Sequence, residues 1–138
     1  MRYGVVLPIQ SIGQDLHVFL DQLLAESVAA EKAGFDAVFL PEFHQARGGA
    51  VISPLIVGAS ILRATEKIKF GTAVLAAPLH HPVRLAEDSI MLDWLSRGRF
   101  ILGLGVGHQA PDFAAYGAER SKRAEITKEL LQVLNHCF

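Results

Sequence analysis

Four short runs of apolar and β-branched residues punctuate the chain: Tyr3 to Leu7, Phe35 to Leu40, Ile68 to Val74 and Phe100 to Leu104. They start at residues 3, 35, 68 and 100, spacings of 32, 33 and 32. Stretches such as Val5-Val6-Leu7 and Ala37-Val38-Phe39-Leu40 are continuous rather than alternating, the pattern of strands buried on both faces of a parallel sheet. Helical periodicity fills the gaps. Leu16, Phe19, Leu20, Leu23, Leu24, Val28 and Ala29 recur at three- and four-residue steps, with Asp15 as N-cap, Lys32 in the last turn and Gly34 just beyond. Ser53-Pro54 predicts a second helix start, with Leu55, Ile56, Ala59 and Leu62 on its face. A third helix is predicted from about Pro82 to Leu95, closed by Gly98, and a fourth from about Ser121 to Asn135. Strand and helix alternating at this spacing predict right-handed βαβ units.

Four such units are too few to close an eight-stranded barrel of about 250 residues. The pattern therefore fits a small open α/β sheet or half of a barrel. The length of 138 residues predicts one compact domain spanning 1–138. Thirteen Lys and Arg against fourteen Asp and Glu leave a net charge of −1, which gives no footprint for nucleic acid or an anionic membrane. The single cysteine, Cys137, excludes an intrachain disulfide. The start Met1-Arg2-Tyr3-Gly4-Val5 carries no signal-like apolar stretch, and no run reaches membrane-span length, so a cytoplasmic protein is expected.

Parallel α/β folds bind ligands at the carboxyl ends of their strands. The loop after the first strand, Pro8 to Gly13, carries no motif and reads as a connector. The loop after the second concentrates Glu42, His44 and Arg47 within six residues, followed by Gly48-Gly49. A histidine there can act as a general base or hydrogen-bond donor. After the third strand, small residues from Gly71 to Ala77 let a planar ligand approach the backbone. The adjacent His80-His81 lack a completing ligand set, so no metal site is expected and the pair reads as a helix start before Pro82. After the fourth strand, Gly103, Gly105 and Gly107 alternate, which departs from the dinucleotide GxGxxG fingerprint. GxSxG, Walker A and HExxH motifs are absent.

Four segments in order resemble the luciferase-like monooxygenases, flavin-dependent TIM barrels that include bacterial luciferase. They are Ala33 to His44 (AGFDAVFLPEFH), Gly71 to Val74, His81 to Asp88 (HPVRLAED) and Leu92 to Gly105 (LDWLSRGRFILGLG). Asp112-Phe113, Tyr116-Gly117, Arg123 and Glu129 continue the pattern, so the resemblance spans nearly the whole chain. It implies an α/β chain of the TIM-barrel family with about four βα units, the N-terminal half-barrel, completed or covered by oligomerisation. It implies a flavin-dependent monooxygenase or oxidoreductase using reduced FMN, or F420 in the sister branch, on a small organic substrate such as an aldehyde. His44 would be catalytic, and Glu42, Thr72, Ala73, Val74, Gly105 and Gly107 would bind the cofactor, with a non-prolyl cis peptide at Ala73–Val74.

The family's Glu-His-His stretch stands here as Glu42-Phe43-His44, and Gly105-Val106 replace luciferase's reactive Cys and following Arg. Both departures argue against light emission. His81, Arg84, Glu87, Asp88 and Arg99 match positions that read as structural, with Glu87 and Asp88 able to pair with Arg84 or Arg99; Trp94 reads as core. The expected partners are flavin, a small-molecule substrate and a second copy or subunit supplying the missing half. The alternative is a non-catalytic, truncated half-barrel that self-associates or needs a partner.

Overall fold

The computed structural model describes residues 1–9, 11, 13–45 and 51–138. The first βα unit pairs β1 (Gly4–Val6) with α1 (Leu16–Lys32). The Asp15 carboxylate caps α1 as expected, accepting from the His17 and Val18 backbone N–H groups at 2.9 and 3.3 Å. The second unit is β2 (Ala37–Leu40) and α2 (Pro54–Ala64); Pro54 opens the helix, but Ser53 makes no capping bond. The third expected strand is broken in two, β3 (Lys69–Thr72) and β4 (Leu75–Ala76), and leads to α3 (Pro82–Ser96). The fourth is likewise split into β5 (Phe100–Ile101) and β6 (Leu104–Gly105). A short α4 (Ala110–Tyr116), which the periodicity did not predict, precedes α5 (Arg123–Cys137).

All pairings are parallel, in the order β1-β2-β3-β5, with Val5, Val38, Phe70 and Phe100 aligned across neighbouring strands. β4 and β6 pair separately, Leu75 opposite Leu104. Where the two ladders part, the Thr72 hydroxyl donates to the Gly103 carbonyl at 2.8 Å and accepts from its N–H at 2.9 Å. A side chain thus supplies the two bonds that a continuous ladder would have made.

One face of the sheet packs against the helices. Val38, Leu40 and Phe70 are fully buried with Phe19 and Leu23 of α1, Ile61 and Leu62 of α2 and Leu92 of α3. The packing admits no spare methyl: a Cβ on Gly58 would fall 2.0 Å from the Phe70 ring. A second cluster joins Leu75 and Ala77 to Leu85, Ala86, Leu130 and Leu134. On the opposite face the Phe39 ring lies over Gly4 and Gly71, whose added Cβ atoms would stand 2.6 and 2.5 Å from it. This face stays partly open, and β1 and β5 form the sheet edges.

Two charged groups, Arg99 and Glu31, organise the helix ends. The Arg99 guanidinium donates to the carbonyls of Ser96, Leu62 and Ile68 at 2.9, 2.6 and 3.0 Å and to the Thr65 hydroxyl at 3.1 Å. It ties the end of α2 to the end of α3 and the entry to β3, rather than pairing with Glu87 or Asp88. Those two carboxylates face Arg84 instead, at 3.4 and 3.8 Å on the exposed side of α3. Glu31, in the last turn of α1, accepts from the N–H groups of Glu66, Lys67 and Ile68. Trp94 is 73% exposed, which corrects its expected place in the core. No helix among the described residues is long and apolar enough to cross a membrane.

Candidate functional site

The carboxyl end of the sheet carries a cleft of about 380 Å³. Its walls come from the segment after β2 (Pro41, Glu42, Phe43), the β3–β4 junction and β4 (Ala73, Val74, Ala76), the end of β6 and the segment after it (Gly105 to Gln109) and α4 (Asp112, Phe113). A larger cleft, about 560 Å³, lies at the opposite end among Arg2, Tyr3, Asp36, Lys67 and Lys69, where the strands begin. Ligand sites of parallel α/β folds sit at the carboxyl end, so the smaller cleft is the candidate.

Five expected cofactor residues, Glu42, Ala73, Val74, Gly105 and Gly107, meet in this cleft. The Ala73–Val74 peptide is cis, as the resemblance implies. Thr72 is buried behind it, with its hydroxyl bonded to Gly103, so it fixes the backbone without offering a polar atom to the cleft. The glycines have an internal reason as well. A Cβ on Gly103 would lie 2.0 Å from the Thr72 carbonyl oxygen, and one on Gly105 2.7 Å from a Val74 methyl. Gly107 has φ +69° and lies against Phe113 and Ala76. The bare α-carbons are thus covered by protein atoms, and what faces the cleft is backbone and the side chains of Ala73 and Val74.

The polar centre is Glu42, whose side chain is 3% exposed. Oε2 accepts from the Ala76 N–H at 2.7 Å, and Oε1 lies 2.8 Å from His80 Nε2 and 3.2 Å from His44 Nε2. Burial alone would raise this carboxyl; the hydrogen bond and charge of His80, the Ala76 N–H and the charge of His44 outweigh it and hold the group below its ordinary value. His44 Nδ1 is 3.0 Å from the Tyr116 hydroxyl, and the two rings lie 4.6 Å apart. Asp112, 7% exposed, accepts from the Gln45 N–H at 3.2 Å and so ties the loop after β2 to α4. Burial, Glu42 and Asp112 together push the Tyr116 hydroxyl up, keeping it protonated.

His80 and Tyr116 were not singled out as site residues from the sequence. Arg47 and the Gly48-Gly49 pair lie outside the described residues. Among the described residues no three His, Cys, Asp or Glu side chains gather as metal ligands.

Besides the fully exposed Glu119, held down by the Ser121 hydroxyl and Lys122, two carboxylates are depressed by neighbours, Glu42 and Glu31; burial would raise Glu31 as well, but its three backbone N–H donors prevail. The unfolded chain then takes up these protons first, so their stabilisation is complete above about pH 4.5, their ordinary value, and is lost as pH falls through the lower folded values. Melting curves from about pH 7 down to about pH 3 are expected to show a steep acid limb. Glu42→Gln and Glu31→Gln should each melt lower at neutral pH with a shallower acid limb; unchanged limbs would contradict the assignment.

The chain belongs to the luciferase-like monooxygenase family, whose signature matches residues 1–138. Among its relatives, the alkanal monooxygenase alpha chain of the Kryptophanaron alfredi symbiont is 33% identical over 135 residues, 97% of this chain and 38% of the relative. The 4-hydroxyprotoasukamycin monooxygenase of Streptomyces nodosus subsp. asukaensis is 32% identical over 98% of this chain and 37% of its own length. The chain thus spans under two-fifths of either relative. A similar solved structure is the oxygenating constituent of 3,6-diketocamphane monooxygenase from Pseudomonas putida in complex with FMN, with TM-score 0.89 and 23% identity over 97% of this chain and 38% of that one. An F420-dependent secondary alcohol dehydrogenase bound to an F420-acetone adduct gives TM-score 0.78 and 19% identity over 98% of this chain and 42% of that one. The shared architecture is the luciferase-like TIM barrel, of which this chain forms a four-unit part.

Proposed function

We propose that the chain forms the flavin-facing wall of a monooxygenase acting on a small organic substrate such as an aldehyde, with reduced FMN as cofactor. The observation that carries this is the cleft at the strand ends, where exposed Ala73 and Val74 and the backbone around Gly105 to Gly107 offer a low apolar surface beside a buried, ionised Glu42. A flat aromatic ring suits such a surface. Reduced FMN, when bound, supplies the oxygen-activating chemistry; the chain binds, orients and sets proton positions. Ala73, Val74 and Gly105 to Gly107 would hold the ring, and Glu42 would anchor the histidines beside it. The FMN complex and the alkanal monooxygenase relatives support this choice, while the F420-dependent neighbour keeps F420 and hydride transfer as the alternative cofactor reading.

The relatives are more than twice as long and the edges β1 and β5 are open, so a second half is needed to close the barrel. A continuation of the same polypeptide, a second copy or a partner subunit would supply it, in the cytoplasm. The test is an assay with photoreduced FMN, an aliphatic aldehyde and isotopically labelled dioxygen. One labelled oxygen in the carboxylic acid product is expected. Absence of label in a product made by the assembled protein would overturn the reading, and turnover with F420 but not FMN would move the chain to the hydride-transfer branch.

The open inner face, with Val6, Val74 and Val106 exposed, also supports a second reading, a non-catalytic half-barrel that self-associates. Light scattering separates its forms. A mass of twice the 15.0 kDa chain supports association into a closed barrel, and a stable folded species at 15.0 kDa contradicts it.

A further inference from the structure

The cleft at the strand ends offers a ligand few polar side chains. Those that line it among the described residues are Glu42, His108, Gln109 and Asp112. Glu42 is committed to the Ala76 N–H and to His80, and the buried Asp112 to the Gln45 N–H. His44, the histidine expected to be catalytic, is 8% exposed and does not line the cleft. His108 does line it and is exposed. Its backbone is held in place: the carbonyl accepts from Arg120 Nε at 3.1 Å, and the preceding Gly107 turns the chain at φ +69° against Phe113. The ring itself meets no partner among the described residues. A fixed backbone beneath an uncommitted ring is the arrangement of a ligand contact. Charge narrows the choice of ligand. No lysine or arginine lines the cleft among the described residues, whereas two carboxylates do. An anionic head would meet like charge there, and a neutral acceptor would not.

We propose that His108 is the ligand-contacting histidine of this cleft, its ring N–H donating to the carbonyl oxygen of a neutral substrate whose apolar tail lies along Phe43, Val74 and Phe113. A neutral imidazole keeps one N–H whichever nitrogen carries it, so the contact needs no particular tautomer. The same walls select an aldehyde or ketone over the corresponding carboxylate, which favours release of an acid product. The assignment deepens the proposed function and rests on it for the reaction, but not for the contact.

Hexanamide, a stable neutral carbonyl compound, tests this without flavin or turnover. It is titrated into the full chain and followed by the histidine ring proton signals, with His108 assigned by its absence from His108→Ala. The exposed side chain leaves the fold of the variants intact, which circular dichroism checks. Expected is a saturable shift of the His108 signals and binding about fivefold weaker in His108→Ala, the size of one hydrogen bond. His108→Gln, whose amide also donates, should recover most of it. Hexanoate should bind about threefold more weakly than hexanamide, the like charge being partly screened. Hexanamide binding that leaves His108 unmoved, equal affinity in His108→Ala, or no binding by the native chain would overturn the contact. Hexanoate binding as tightly as hexanamide would overturn the selection of a neutral head. His108-dependent binding in an assembled protein that oxidises no aldehyde would remove the monooxygenase reading and leave the contact standing; labelled acid made by His108→Ala at the native KM would do the reverse.

Discussion

Replacing Arg99 with methionine is expected to cost about 3–4 kcal/mol of folding stability, a large share of the roughly 5–15 kcal/mol typical of a domain. Methionine keeps much of the apolar stem but removes every N–H that serves the Ser96, Leu62 and Ile68 carbonyls and the Thr65 hydroxyl. Hydrogen bonds from a charged donor contribute about 1.5–3 kcal/mol each, and buried acceptors left bare add a desolvation cost. Losing several at one joint is partly offset by water reaching the helix ends, hence an expected total below the sum. Arg99→Lys should recover only a fraction, since a single ammonium cannot span acceptors arranged around a planar fork. Chemical denaturation of the three proteins measures this; an Arg99→Met variant within about 1 kcal/mol of the native chain would show that the joint holds without the guanidinium.

Gly103→Ala is the second large effect, expected at about 3 kcal/mol and accompanied by loss of the cleft's shape. The added methyl would lie 2.0 Å from the Thr72 carbonyl oxygen, a backbone atom that cannot swing aside as a side-chain end can. The two strands must separate there, breaking the paired Thr72–Gly103 bonds and the bond from the Leu75 N–H to the Gly103 carbonyl at 2.9 Å. Because β4 and β6 are two residues each and carry cleft residues Ala76 and Gly105, the disturbance passes directly to the site. Thr72→Val, which keeps the shape but removes the hydroxyl, should cost less, about 1–2 kcal/mol. Equal losses in the two variants would place the effect in the hydroxyl rather than in the close approach of the backbones.

The elements were legible wherever one residue type has a local job. Asp15, Pro54, Pro82 and the Gly34 and Gly98 turns act through backbone geometry within a few residues of themselves, so the helix bounds follow from the chain alone. The regular spacing of apolar runs likewise shows parallel strands, because burial on both faces leaves continuous apolar stretches. The break inside the third and fourth strands was not legible, since Thr72 and Gly103 are 31 residues apart and their mutual bonds leave no local pattern. Glu31 stands in the last turn of α1, where the helix dipole disfavours an acid, and nothing local in the sequence explains it. Its reason is the turn after α2, more than thirty positions on.

Glu42 and His44 stood out in the sequence because they share one loop at a strand end. His80 and Tyr116 did not, because the contacts that recruit them span 38 and 72 positions. The placing of His44 was visible, but its geometry was not: both ring nitrogens face protein groups, which only the fold could show. Trp94 failed as a core residue because apolar periodicity cannot tell a face packed against the sheet from one left at the surface of α3.

Anaerobic titration of the purified chain with reduced FMN, followed by flavin fluorescence and equilibrium dialysis, tests the central claim that the strand ends seat a flavin ring. Ala73 is exposed and lines the cleft, so Ala73→Trp fills it without disturbing the core. Saturable binding by the native chain, weakened about tenfold or more in Ala73→Trp at unchanged circular dichroism, is the expected result. A folded, assembled protein that binds no reduced FMN, or binds it equally well with the cleft filled, would contradict the claim.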